Sequence, residues 1–271
     1  MDQLNRNELG VVSFGGSYLG RRKNNEDSLG RTIPKDPQVL LEKGRLYIVS
    51  DGMGGVNGGE VASRMAVEIV MDCYYALNGP AEECLRSAIR QASALIVARA
   101  REEAGLENMG ATIIAAAVLQ DRLIFAHVGD SRLYLYREGS LHRLTRDHLH
   151  ILDTLGISEA EADTHPQRNI LSRALGYPDA CNPDCSLLEF HSEDRLLLCT
   201  DGLSDCISPE LMLAALQSRT PKEAVNALMS SAERLKSKDN ATSLVIYFNS
   251  EKRQDPPTVR IPLAEMTMSP V

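Results

Sequence analysis

Residues 50–55 read SDGMGG and follow the apolar segment Arg45–Val49, so a predicted strand ends in a carboxylate and a glycine-rich turn. Such turns are typical of phosphate-binding loops, but a P-loop needs Gly-Lys-Ser/Thr, which is missing here. Asn57 stands where the dinucleotide fingerprint G-x-G-x-x-G needs its third glycine. The glycines instead predict a sharp turn that lets a carbonyl or a water approach something bound beside Asp51.

Two amphipathic helices are predicted directly after this turn, over Gly58–Leu77 and Pro80–Arg101, from their apolar periodicity. Three strand-like segments follow, Ala111–Leu119, Arg122–Val128 and Arg132–Arg137, and the short links between them favour antiparallel neighbours. Because strands and helices cluster rather than alternate, the expected fold class is an α+β layered sandwich.

The second half of the chain contains an irregular stretch between regular elements. Residues 147–183 are rich in Asp, His, Thr and Pro, which indicates a long and partly helical surface excursion, with a capping box at Ser158 and Glu161. The predicted domain spans 1–249, and the Pro-rich residues 250–271 are predicted to form a flexible tail. The remaining predicted elements are strands at Leu141–Leu144, Arg195–Thr200 and Ser243–Phe248, and helices that begin after the capping residues Ser208 and Thr220.

Composition excludes several classes of protein. The 271 residues carry a net charge of −8 with a pI near 5.3, which argues against a nucleic-acid partner because phosphate contacts need a basic face. The longest apolar run is too short to cross a bilayer, and the first ten residues lack the pattern of a secretion signal. The six cysteines are scattered, as in a reducing compartment. We therefore expect a cytoplasmic protein without a membrane or nucleic-acid partner, and a monomer.

Four aspartates lie at the ends of predicted strands: Asp51, Asp130, Asp201 and Asp239. Any one of them alone is well explained as a turn former. Carboxylates that meet in a protein interior repel by roughly 4 kcal/mol per pair at an effective dielectric near 20. A divalent cation removes this repulsion, and ligand sets made only of oxygen suit Mg²⁺ or Mn²⁺. The repeated pattern therefore predicts a metal site.

A further acidic pair, Glu26 and Asp27, lies in the stretch GRRKNNEDSLG. Adjacent side chains on a strand point to opposite faces, so one acid is expected to face the metal site while the other supports a neighbour. Arg22 can grip a phosphate with its forked guanidinium. Alternatively, Arg22 belongs to a solvated basic cluster with Arg21 and Lys23, and the spacing alone leaves both readings open.

Eight short motifs follow one another along the chain: GRRKNNED, VSDGMGG-x-x-x-GEVAS, MGAT, VGDSRLYLYR, LTRDH, THPQRNILSRALG, LLLCTDGLSD and DNAT. Together they resemble the bacterial branch of the metal-dependent protein phosphatase 2C family. The resemblance extends from Val11 to Phe248. Each motif is short, but their common order over most of the chain makes the resemblance specific.

The resemblance implies a central antiparallel β-sandwich flanked by helices on both faces, with two Mg²⁺ or Mn²⁺ ions at one end. It implies that Asp51 bridges both metals. Glu26, acting largely through waters, and the Gly52 carbonyl would serve one metal. Asp201 and Asp239 would hold the other metal.

The resemblance also implies roles for the remaining site residues. Asp130 would support a third, weaker metal beside Asp201, and Asp27 would brace the residues of the metal set. Arg22 would bind the substrate phosphate, which makes Arg22, Asp51 and Asp201 the expected catalytic set. The implied activity is hydrolysis of phosphoserine and phosphothreonine in proteins by a metal-activated water, in opposition to a bacterial Ser/Thr kinase.

Two features depart from the family pattern. The resemblance implies that residues 147–183 correspond to the mobile flap beside the active site, but the stretch between Asp147-His148 and Thr164-His165-Pro166 is a few residues shorter than is usual. Met53 replaces a histidine that many eukaryotic relatives have, which leaves a metal-bound water, His148 or His165 as alternative proton donors. The competing functions are a two-metal phosphoesterase for small substrates and a catalytically silent relative that binds phosphoproteins.

Overall fold

Two antiparallel β-sheets lie face to face at the centre of the protein. The computed structural model describes residues 10–54, 58–120, 122–162, 164–177 and 181–249. The strands are β1 (Gly10–Tyr18), β2 (Asp27–Thr32), β3 (Arg45–Met53), β4 (Gly110–Ala111), β5 (Ile113–Val118), β6 (Arg122–Val128), β7 (Arg132–Arg137), β8 (Ser140–Arg143), β9 (Asp184–Glu189), β10 (Arg195–Cys199) and β11 (Ala241–Asn249).

The strand order is β1-β11-β10-β7-β8 in the first sheet and β2-β3-β5-β6-β9 in the second, and β4 pairs with β3. Helices cover the outer face of each sheet: α2 and α3 pack on the second sheet, and α7 and α8 pack on the first. The helices are α1 (Pro37–Lys43), α2 (Gly58–Ala76), α3 (Ala81–Glu102), α4 (His150–Leu155), α5 (Glu159–Ala162), α6 (Asp201–Ser204), α7 (Pro209–Leu216) and α8 (Pro221–Arg234).

The central strands are apolar on both faces because each face packs against another layer. In β3, Leu46 and Ile48 pack under α2 and α3, whereas Tyr47 and Val49 lie in the core between the sheets. In β10, Leu197 faces the helices of the other layer. The α-β-β-α arrangement confirms the predicted α+β sandwich with helices on both faces.

Two of the three predicted capping residues, Ser158 and Thr220, bond to the backbone of the helix start through their side chains. The Thr220 hydroxyl accepts a hydrogen bond from the Glu223 N–H at 3.2 Å at the start of α8. Ser158 and Glu161 form the reciprocal capping box, with the Ser158 N–H donating to Glu161 Oε2 at 2.9 Å. Ser208 occupies the N-cap position of α7, as predicted, but its side chain makes no capping hydrogen bond.

Three strands, β1, β2 and β9, were not predicted from the sequence. Gly16 in β1 and Gly30 in β2 face helices at close range: a Cβ atom would lie 2.7 Å from Val225 in the first case and 2.5 Å from Val67 in the second. These two positions therefore cannot carry the β-branched residues that usually reveal a strand, which weakens the strand pattern. Strand β9 is an edge strand with mostly exposed residues, so its apolar pattern is weak.

The predicted flexible tail at residues 250–271 lies outside the described residues. None of the helices in the described ranges has the length and apolar character that a bilayer crossing requires.

Candidate metal centre

Strand ends from both sheets meet around one cavity of about 780 Å³. Asp51 lies near the end of β3 and Asp130 lies two residues after the end of β6, and both strands belong to the second sheet. Asp201 follows β10 and Asp239 precedes β11, both in the first sheet. All four residues line the cavity, so the fold brings these distant carboxylates together. The other lining residues are Arg22, Glu26, Gly52, Met53, Gly54, Thr112, Asn169, Ile170, Leu171, Ser172, Arg173, Ala174 and Tyr177.

The carboxyl groups at the base of the cavity disfavour their own ionisation. Burial, followed by the charges of neighbouring aspartates, raises the pKa of Asp51 and of Asp130 well above the usual value. Burial also raises the pKa of Asp201 to about 6, and Asp201 forms a hydrogen bond with Asp51. Asp201 Oδ1 is buried without a hydrogen-bond partner. Crowded, incompletely bonded carboxylate oxygens of this kind suit hard divalent cations.

The adjacent acids Glu26 and Asp27 take opposite positions. Glu26 lines the cavity, whereas Asp27 is only 2% exposed and is not among the lining residues. Asp27 is the pairing partner of Asp51 on the neighbouring strand, and its Oδ2 accepts a hydrogen bond from Thr200 Oγ1 at 2.9 Å. Burial raises the pKa of Asp27 to about 7. Asp27 therefore supports the acidic cluster from behind, while Glu26 faces the cavity.

Arg22 stands at the rim of the cavity and contacts one of the acidic residues. Its Nη2 donates a hydrogen bond to Asp239 Oδ2 at 2.6 Å, and half of its side chain is exposed. An exposed ion pair contributes only about 0–1 kcal/mol, so an incoming phosphate can exchange with it at small cost. The cationic side chain lies beside the acidic cluster, as the phosphate-clamp hypothesis requires.

The glycines after Asp51 allow the turn to pack closely on its surroundings. The Gly52 N–H donates a hydrogen bond to the Glu26 carbonyl at 3.1 Å. A Cβ atom on Gly52 would lie 2.0 Å from the Gly59 carbonyl oxygen at the start of α2, so no other residue fits. This turn therefore fixes the strand end of Asp51 against both the helix and the loop that bears Glu26.

Two residues that the sequence reasoning did not select hold the acidic residues in place. Thr112 Oγ1 accepts a hydrogen bond from the Asp51 N–H at 3.0 Å, and the Thr112 N–H donates to the Asp51 carbonyl at 2.8 Å. Asn240 Oδ1 accepts from the Glu26 N–H at 2.9 Å. Both residues belong to short motifs, MGAT and DNAT, which were the available signals.

The sequence pattern of the family described as Protein phosphatase 2C matches residues 15–246. The chain belongs to this family.

Relatives within the phosphatase 2C family share most of the chain. The serine/threonine phosphatase stp of Listeria monocytogenes is 38% identical over 234 residues, which cover 83% of this chain and 90% of that relative. The crystal structure of the Mycobacterium tuberculosis serine/threonine phosphatase PstP/Ppp has a TM-score of 0.76 at 34% identity, and covers 89% of this chain and 99% of that one. The catalytic domain of PstP in complex with two manganese ions has a TM-score of 0.75 at 33% identity, and covers 89% of this chain and 100% of that one.

Part of the segment 147–183 forms one wall of the cavity. Residues 169–174 and Tyr177 line that wall. At the end of the segment, Arg173 Nη1 donates a hydrogen bond to Asp184 Oδ1 at 2.7 Å, which ties the wall to β9. The wall is thus attached to the edge of the second sheet.

Neither of the histidines proposed as proton donors lies in the cavity lining. His148 is buried and stacks on His127 with ring centroids 4.6 Å apart, and burial lowers the pKa of His148 to about 4. Its Nδ1 accepts a hydrogen bond from the Gly129 N–H at 3.1 Å, beside Asp130. His165 Nδ1 accepts from the Gln167 N–H at 3.2 Å. His148 therefore holds the turn that carries Asp130 and does not face the cavity.

Proposed function

We propose that this protein is a metal-dependent protein serine/threonine phosphatase that hydrolyses phosphoserine and phosphothreonine. The observation that carries the proposal is the meeting of Asp51, Asp130, Asp201 and Asp239 in one cavity, with Arg22 at its rim. The names of the relatives, which are serine/threonine phosphatases from Listeria and Mycobacterium, support this substrate class.

We further propose that two divalent cations, Mn²⁺ or Mg²⁺, bind in this cavity. The two manganese ions in the PstP catalytic domain support the number of cations. Asp51 would contact both ions, with Glu26 and the Gly52 carbonyl at one of them and Asp201 and Asp239 at the other. Asp130 would serve a third and weaker site next to Asp201. When bound, such ions lower the pKa of a water and withdraw charge from the phosphoryl group.

The side chains around the cavity orient the substrate. Arg22 is positioned to exchange its hydrogen bond with Asp239 for two bonds to the phosphate oxygens. Thr112 and Asp27 keep Asp51 in a fixed position, and a fixed electrostatic environment is what lowers the barrier of phosphoryl transfer. No side chain of this set needs to form a covalent bond to phosphorus.

The proposal is tested by hydrolysis of a phosphothreonine peptide in the presence of Mn²⁺. We expect activity in the wild type, loss of activity after chelation, and at least a 100-fold lower kcat in Asp201→Asn. Glu68→Gln is the matched control, because it also neutralises one acid but lies on the exposed face of α2. Activity that persists in Asp201→Asn and after chelation would refute the metal mechanism.

Two alternatives are separated by the same assay. A phosphoesterase for small substrates would hydrolyse para-nitrophenyl phosphate but not the phosphopeptide. A silent phosphoprotein-binding relative would bind the peptide without turnover. Against this alternative, every residue predicted as a metal ligand offers an oxygen atom and lines the cavity, except Asp27, which lies behind it. The filled acidic positions favour the active phosphatase.

The proposal extends to partners and location. We propose that the substrates are phosphoproteins made by a Ser/Thr kinase, that the protein acts as a monomer, and that it acts in the cytoplasm. All six cysteines are free thiols, which supports a reducing compartment. Residues 147–183 would act as the flap that contacts the substrate protein.

A further inference from the structure

Lys43 and Cys84 form a buried pair that lies outside the cavity lining. Lys43 is the last residue of α1, and Cys84 lies in the first turn of α3. They are 41 positions apart in the chain, yet Lys43 Nζ lies 2.7 Å from Cys84 Sγ. Lys43 is 7% exposed and Cys84 is 2% exposed, so the packing of the helices brings the amine and the thiol together out of water.

The surroundings of Lys43 Nζ direct it toward the sulfur. Nζ also donates a hydrogen bond to the Gly79 carbonyl at 3.0 Å and lies 5.6 Å from the centre of the Tyr74 ring. Within the described ranges, no carboxylate forms an ion pair with Lys43. Burial of an amine without a carboxylate partner is rare, because an uncompensated charge is costly in the interior. The side-chain atom that Nζ contacts in place of a carboxylate is the Cys84 sulfur.

The distance between Nζ and Sγ is short for a hydrogen bond. An N–H···O bond typically has its donor and acceptor about 2.9–3.0 Å apart. Sulfur is larger than oxygen, so an N–H···S bond should be longer than this, whereas the observed separation is 2.7 Å. A separation of this size matches two atoms that are both bonded to one common oxygen. We propose that Lys43 and Cys84 are the site of an oxidative cross-link of the form Nζ–O–Sγ.

The cross-link balances with hydrogen peroxide as the oxidant. One peroxide oxidises the Cys84 thiol by two electrons to a sulfenic acid and leaves as water. A second peroxide removes two electrons from the Lys43 amine as the bond between nitrogen and the sulfenic oxygen forms. The hydrogen of the sulfenic acid and one amine hydrogen leave with the two oxygens of the second peroxide as two waters. In total, two peroxides are consumed and three waters are released.

The bridge would join the end of α1 to the start of α3 next to the strand that bears Asp51. The backbone at this junction is already held by tyrosines: Tyr74 Oη donates to the Lys43 carbonyl at 2.6 Å, and Tyr75 Oη donates to the Gly44 carbonyl at 3.0 Å. A covalent link between two positions 41 residues apart restricts the unfolded chain, as a disulfide does. The cross-link therefore stabilises the oxidised protein and does not depend on the proposed phosphatase activity.

The experiment is mass spectrometry of the full chain after treatment with hydrogen peroxide. Digestion without reductant should yield one peptide that contains both Lys43 and Cys84, with one oxygen gained and two hydrogens lost, about +14 Da. Dithiothreitol should reverse this mass gain. The cross-linked protein should melt about 5–10 °C above the reduced protein.

The variants separate this site from general thiol oxidation. Cys84→Ala and Lys43→Met should both lack the +14 Da peptide and the rise in melting temperature. Cys73→Ala is the matched control, because Cys73 is a half-buried free thiol on α2, and it should retain both signals. The proposal is overturned if oxidised wild type shows an unmodified Cys84, a sulfenic acid only, a disulfide with Cys185, or a direct Nζ–Sγ bond with no added oxygen.

Discussion

Replacement of Asp201 by Asn should stabilise the metal-free protein and weaken its stabilisation by Mn²⁺. Asp201 is part of the acidic cluster, and burial raises its pKa from 3.8 to about 6. An Asn side chain has nearly the same shape, carries no charge, and can still donate a hydrogen bond to Asp51. The substitution therefore removes a repulsive charge when no cation is present, and removes a ligand when one is.

The magnitude follows from the pKa of Asp201. A difference of roughly two pKa units corresponds to about 3 kcal/mol. Between pH 3.8 and about 6 the folded protein retains a proton that the unfolded chain has released, so the free energy of unfolding falls as pH rises through this window. At pH 7 the whole of this decrease in the free energy of unfolding is present. The Asn variant should then be more stable by up to about 3 kcal/mol, which is about 6–12 °C in Tm.

The assay is thermal and urea unfolding of wild type and Asp201→Asn after exhaustive chelation, at pH 4, 5, 6 and 7, and again with Mn²⁺. The stability difference should grow from pH 4 to pH 7. Added Mn²⁺ should stabilise the wild type more than the variant, since only a ligand that binds the native state raises its stability. A variant that is less stable than wild type without metal at pH 7 would refute the reasoning that the carboxylates repel one another.

Three further predictions follow from other contacts. Arg22→Lys keeps the charge but loses the forked geometry, so kcat/KM for a phosphothreonine peptide should fall about 10-fold to 100-fold. The free energy of unfolding should change by less than about 1 kcal/mol, because the ion pair with Asp239 is exposed. Unchanged kinetics would exclude Arg22 as the phosphate clamp. Thr112→Val leaves the Asp51 N–H without its acceptor, so the free energy of unfolding measured in urea should fall by about 1–3 kcal/mol. An unchanged free energy of unfolding would mean that water replaces the hydroxyl. Asp194→Asn weakens the buried contact with Arg137, whose Nη2 lies 2.6 Å from Asp194 Oδ2. In contrast to Asp201→Asn, this variant should destabilise the protein by about 1–3 kcal/mol at pH 7, with or without Mn²⁺. Equal responses of the two variants would contradict the distinction between paired and repelling carboxylates.

Much of the layered fold could be predicted from local patterns. The helices α2 and α3 and the strands β5, β6 and β7 were predicted because their apolar periodicity is strong and the links between these strands are short. Strands β1 and β2 escaped prediction because Gly16 and Gly30 occupy positions where a helix side chain approaches the backbone. Such glycines report a contact between distant segments, which no local pattern can show.

In the candidate site, too, local residue types could be predicted from the sequence, but contacts between distant segments could not. The strand-end aspartates were recognisable one by one, but their convergence needed the register that places Asp27 opposite Asp51, and the meeting of ends from two sheets. The supporting contacts of Thr112 and Asn240 were visible only as motif residues, since their hydrogen bonds join segments far apart in the chain. The pairing of Arg22 with Asp239 likewise spans the two ends of the domain.

The sequence by itself determined the strongly patterned helices and strands, the acidic turns and membership of the phosphatase 2C family, because these depend on residue type and spacing along the chain. Only the tertiary structure decided which acid faces the cavity, which histidines stay outside it, and that Lys43 meets Cys84. The physical reason is that burial, pKa and contact are properties of the space around a side chain, and that space is filled by residues from elsewhere in the chain.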